Sequence, residues 1–78
     1  RSRRGARKRP AYGWEALTPS ERDVVSLVAE GLTNPEVGQR LFISRRTVQT
    51  HLSNAFRKLE IASRVELAAL VARHERRT

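Results

Sequence analysis

The sequence predicts an all-α fold of four helices, and three observations carry that prediction. Helix-start signals recur along the chain: Thr18-Pro19-Ser20-Glu21, Thr33-Asn34-Pro35-Glu36 and Ser63-Arg64-Val65-Glu66 each place a hydroxyl residue three positions before a glutamate, and Ser44 opens a further stretch. In such a box the hydroxyl accepts from the third helical N–H, and the glutamate reaches back to the N–H of the cap. Apolar residues then recur behind each signal at three- and four-residue intervals, the spacing of one helical face. Third, the 78 residues include no cysteine, so no disulfide framework or thiolate zinc site supports the chain, and thiol redox chemistry is excluded. A chain this short buries only about 60% of its unfolded surface, and packed helices alone must supply its core.

Proline at the first helical position costs no hydrogen bond, so the first helix starts at Pro19 and runs to about Glu30. Val24, Val25, Leu27, Val28 and Leu32 form its apolar stripe, and Gly31 can take the left-handed turn that closes it. Trp14 and Leu17 are placed to lay an apolar lid on it. The second helix is short, with Val37, Leu41, Phe42 and Ile43 as its apolar positions. Ser44 caps the third helix only a few residues later, and a turn that tight is a helix-turn-helix signature. Both phenylalanines, Phe42 and Phe56, are expected in the core.

In the third helix Val48, Leu52, Ala55, Phe56 and Leu59 share one face. The opposite face carries Arg46, Gln49, Thr50, Ser53 and Arg57, flanked by Arg45, Asn54 and Lys58, with no carboxylate from Ser44 to Leu59. A surface helix ordinarily mixes charge signs. Guanidinium, amide and hydroxyl groups together suit a polyanion whose edges are read by hydrogen bonds, the alternative being a merely solvated basic face.

The fourth helix has two apolar faces: Val65, Ala68, Ala69 and Ala72 on one, Leu67, Leu70 and Val71 on the other. One small domain can bury only one of them. The alanine side, where small residues allow close approach, is therefore expected to pair two copies of the chain, the alternative being that these alanines are surface helix formers.

The net charge of +8 is unevenly spread: Arg1, Arg3, Arg4, Arg7, Lys8 and Arg9 stand in a stretch with no acid. With Gly5, Pro10 and Gly13, residues 1–13 read as a disordered basic arm or interdomain linker that adds affinity through phosphates, and residues 14–78 as the folded domain. The chain opens at Arg1 without a methionine, which leads us to expect a fragment of a longer protein. No apolar run is long enough to span a bilayer and no signal-peptide pattern occurs, so a cytoplasmic location is expected.

Leu17-Thr18-Pro19 with Glu21, Gly31-Leu32-Thr33-Asn34 with Glu36, Ile43-Ser44, Thr47-Val48, His51, Lys58-Leu59 and Ser63-Arg64 together form a specific pattern. From Leu17 to Leu70 the chain resembles the LuxR-type (GerE-like) DNA-binding domain of bacterial transcription regulators. The resemblance implies a helix-turn-helix of the second and third helices, the third lying in the major groove of double-stranded DNA. It also implies a fourth helix that pairs two copies, and an upstream sensor or regulatory domain. Carried over by position, the base-reading residues are Gln49, Thr50 and Ser53. Many members have a cation in place of Gln49, which here suits adenine N6 and N7. Thr33, Asn34, Arg45, Arg46, Thr47, His51, Asn54, Arg57 and Lys58 are expected on phosphates, and Val65, Ala68, Ala69 and Ala72 at the dimer contact. Gly38 stands where alanine is usual.

Other classes fare worse. The histidines are His51 and His74 and the one aspartate is Asp23, with no metal-ligand spacing and no phosphate-cradling glycine loop, so neither catalysis nor a cofactor is expected. A sigma-factor-like promoter module also uses a capped helix-turn-helix, but the short connection and capped helix after Leu59 argue against it. RNA binding lacks an aromatic stacking platform. A helical protein-interaction domain for an acidic partner remains an alternative.

Overall fold

The structure, a computed structural model, describes residues 12–76, Arg76 by its backbone alone. The expected arm therefore lies, up to Ala11, outside the described residues. A 3-10 turn, Trp14–Ala16, precedes four helices: α1 Pro19–Ala29, α2 Asn34–Leu41, α3 Arg45–Leu59 and α4 Arg64–Arg76. No strand occurs among the described residues, and the all-α expectation holds.

Each helix starts where its cap chemistry places it. Thr18 Oγ1 accepts from Glu21 N–H at 3.1 Å while Glu21 Oε1 accepts from Thr18 N–H at 2.9 Å. Thr33 and Glu36 repeat this reciprocal pair at 3.4 and 2.8 Å. Ser44 accepts from Thr47 N–H at 3.0 Å. At α4 Ser63 accepts from Glu66 N–H, but the Glu66 carboxylate takes the N–H of Ala62, one residue earlier than the box pattern implies. Replacing one such cap by alanine costs about 1 kcal/mol.

Three helices end on a left-handed residue: Gly31 after α1 (φ 104°), Phe42 after α2 (φ 60°) and Glu60 after α3 (φ 58°). The N–H of the following residue then bonds back into the last turn, Leu32 to Leu27, Ile43 to Gly38 and Ile61 to Phe56. Phe42 corrects the sequence expectation. It is 93% exposed, because the left-handed backbone that closes α2 turns its side chain away from the core. Gly38 gains a physical reason as well: a Cβ there would lie 2.6 Å from the Ile43 carbonyl oxygen. Glycine is what lets the chain fold back so closely between α2 and α3.

The core gathers Leu17, Val24, Val25 and Val28 with Val37, Val48, Leu52, Ala55, Leu67 and Val71. Helix α1 lies at its centre and packs on α2, α3 and α4. Leu17 is buried as expected, whereas Trp14 is half-buried and stacks on His74 of α4, ring centroids 4.2 Å apart. Gly13 N–H also donates to the Lys58 carbonyl at 2.7 Å, tying the start of the domain to the end of α3.

Among the described residues one charged side chain is buried with this core, Glu21, and Lys58 Nζ stands 2.8 Å from its Oε1. Burial opposes ionisation of Glu21. The hydrogen bond from Lys58, the Thr18 N–H, the Lys58 charge and the Thr18 side chain together outweigh it and hold the pKa below the ordinary carboxylate value. A depressed carboxylate pKa adds stability above the unfolded value, 4.5, and that stability is lost as pH falls through the folded value. Glu21→Gln keeps a capping oxygen but not the charge. Its stability deficit against the native chain, measured by urea denaturation over a pH series, is therefore expected at neutral pH and to close progressively below pH 4.5.

Candidate nucleic-acid interface

The helix-turn-helix sets the start of α2 beside the exposed face of α3, leaving an open concavity lined by Asn34, Arg45, Arg46, Gln49, Thr50, Ser53 and Asn54. Two guanidiniums, three amides and two hydroxyls line it without a carboxylate. The buried side of the same helix, Val48, Leu52 and Ala55, anchors this face to the core. Ser44 caps it and no acid stands in its first turn to neutralise its positive N-terminal end.

Gln49, Thr50 and Ser53 are exposed. The Thr50 hydroxyl donates to the Arg46 carbonyl at 3.2 Å, so its oxygen keeps its acceptor capacity on an exposed residue. Arg57 is exposed and donates to Asn54 Oδ1 at 3.0 Å. Thr33 and Thr47 take part in the caps of α2 and α3, and His51 is half-buried beside the stripe.

Lys58 does not join this group. It follows Gln49 by nine residues, half a turn beyond two full turns at about 100° per residue, and so leaves α3 on the opposite side. Its ammonium is held by Glu21, which makes it a support of the fold rather than a member of the basic face. Arg64, outside the expected site, donates to the Leu32 carbonyl and to Asn34 Oδ1 at the edge of the concavity. On α4, Val65 is 79% exposed and Ala69 and Ala72 are exposed, with Ala68 half-buried, while Leu67 and Val71 fill the core. Among the described residues no cluster of His, Cys, Asp and Glu could hold a metal ion, and no helix is long and apolar enough to cross a membrane.

Residues 15–71 match the model of the bacterial regulatory proteins of the luxR family. The chain belongs to the LuxR family. It is a LuxR-type helix-turn-helix DNA-binding domain. It is 61% identical over 70 residues to a candidate HTH-type transcriptional regulator of Mycobacterium bovis, covering 90% of this chain and 8% of that protein. The transcriptional regulatory protein LiaR of Bacillus subtilis is 42% identical over 60 residues, 77% of this chain and 28% of LiaR. The nitrate/nitrite response regulator protein NarL of Escherichia coli K12 is 44% identical over 55 residues, 70% of this chain and 26% of NarL. This LuxR-type domain thus spans a small part of each of these relatives.

Because Lys58 serves the core, Lys58→Ala should behave as a stability mutant. Leaving the Glu21 carboxylate without its cation is expected to cost about 3 kcal/mol in denaturation, while the dependence of duplex binding on salt stays unchanged. A fall of about one unit in the salt slope would instead return Lys58 to the phosphate-binding set.

Proposed function

We propose that this domain binds double-stranded DNA sequence-specifically, with α3 in the major groove and two copies paired through α4. The observation that carries the reading is the concavity at α3, rich in donors and free of carboxylates, on a helix of the diameter the major groove admits. Gln49, Thr50 and Ser53 read base edges, Gln49 by two bonds to adenine. Thr33, Asn34, Arg45, Arg46, Thr47, His51, Asn54 and Arg57 position the domain on phosphates. The exposed Val65, Ala69 and Ala72 fit a two-fold contact, so that half-site spacing follows the dimer. In a full-length regulator of which this is one part, a further domain supplies the signal and the whole acts on DNA in the cytoplasm.

Titrating variants against the preferred duplex and its single-base changes, at two salt concentrations, tests the division of roles. Gln49→Ala is expected to cost about 1 to 3 kcal/mol on the preferred site, little on random DNA, and to relax preference at one base pair. Arg57→Ala should weaken all sequences alike and lower the salt slope by roughly one unit. The reverse pattern would refute this assignment.

For the pairing, Ala69→Glu is expected to weaken binding to a duplex with two half-sites while binding to one half-site and the thermal midpoint are kept. Sedimentation and paired-site affinity both unaltered by that change would put the interface elsewhere.

A further inference from the structure

Arg64 opens α4, yet its guanidinium reaches the start of α2, thirty residues back in the chain. One terminal nitrogen donates to the Leu32 carbonyl oxygen at 3.4 Å and the other to Oδ1 of Asn34. A guanidinium presents donors in a rigid fork, so it can hold a backbone acceptor and a side-chain acceptor at a fixed separation. Asn34 is the first residue of α2 and lines the concavity beside Arg45 and Arg46.

A carboxamide has two unlike ends. Its oxygen would repel a phosphate, its NH2 group would bond to one, and an unrestrained side chain can present either. With Oδ1 occupied by Arg64, the acceptor end faces α4 and the Nδ2 donors are left for the concavity. We propose that Arg64 is a positioning residue for DNA binding: it fixes the Asn34 amide with its donors toward a phosphate. The inference rests on the reading that duplex DNA occupies the concavity. Because Arg64 is exposed, its bonds add little to folding, so its effect belongs to binding.

The experiment measures duplex affinity on a single half-site, where pairing through α4 does not enter, for the native domain, Arg64→Ala, Arg64→Lys, Asn34→Ala and the Arg64→Ala/Asn34→Ala double variant. Arg64→Ala and Asn34→Ala are each expected to weaken preferred and random duplexes alike by about ten- to a hundredfold, the loss of one oriented bond to a charged group. The double variant should be no weaker than Asn34→Ala, since Arg64 acts through that amide. Arg64→Lys should stay as weak as Arg64→Ala, because one ammonium does not reproduce the fork. Thermal midpoints should be unchanged, and the salt slope should move by much less than the 0.9 or so per phosphate that marks a direct cationic contact.

Additive losses with a slope lower by about 0.9 would overturn the proposal by making Arg64 itself a phosphate ligand. Full rescue by lysine would overturn it by making charge the sole requirement, and a lowered midpoint with normal affinity of the folded domain would make Arg64 structural. A native domain that fails to bind any duplex would overturn the underlying DNA reading too, and shows itself before any variant is compared.

Discussion

Glu21 holds two separate obligations in one carboxylate. Its Oε1 accepts from the N–H that starts α1, and the same oxygen receives the Lys58 ammonium near the end of α3. An isolated carboxylate in this position would be expelled or protonated, since burial disfavours its charge. Paired, it fixes the start of the central helix to the far end of the helix that carries the polar face. The valine-rich cluster around it is non-directional, whereas the pairing of one ammonium with one carboxylate oxygen fixes a point on α3. The ion pair and the Val48, Leu52 and Ala55 stripe together set which side of α3 looks outward.

Economy of this kind is forced by size. With no disulfide and few large side chains, the domain supports its packed core by fixing the helix ends: hydroxyl caps at every start and left-handed closures after three of the four. The tight return between α2 and α3 needs Gly38, whose missing Cβ makes room for the Ile43 carbonyl. Helix propensity alone would favour alanine there by about 1 kcal/mol. The clash of a Cβ with a backbone oxygen only 2.6 Å away decides the matter for glycine.

Much of this was legible in the sequence because caps and helical faces are local. The Thr18, Thr33, Ser44 and Ser63 starts are written within four residues each, and the burial of Val48, Leu52 and Ala55 follows from spacing. Phe42 was not legible. Its apolar side chain suggests core, while its backbone duty as the closing residue of α2 sends it into solvent, and nothing local announces which demand prevails. Glu60 closes α3 in the same unannounced way. At the candidate site, the face bearing Gln49, Thr50 and Ser53 could be read off as a helical wheel. Lys58 is expected on phosphates from its charge and its place at the flank of that face, and its pairing with Glu21, 37 residues away, is not legible locally. The Arg64 link to Asn34 and the Trp14 stack on His74 are likewise contacts between distant positions, which periodicity does not encode.

The backbone bond from Gly13 to the Lys58 carbonyl brings the chain in at the last turn of α3, about 13 Å along the helix axis from Gln49 and on its other side. Whatever precedes the domain is thereby attached at its rear. The shared stretch occupies 8% of one relative and 28% of another, so what is joined to such a domain differs greatly in bulk between them. Like a cartridge in its holder, the domain is joined at the last turn of α3, while the polar concavity opens at the other end of that helix.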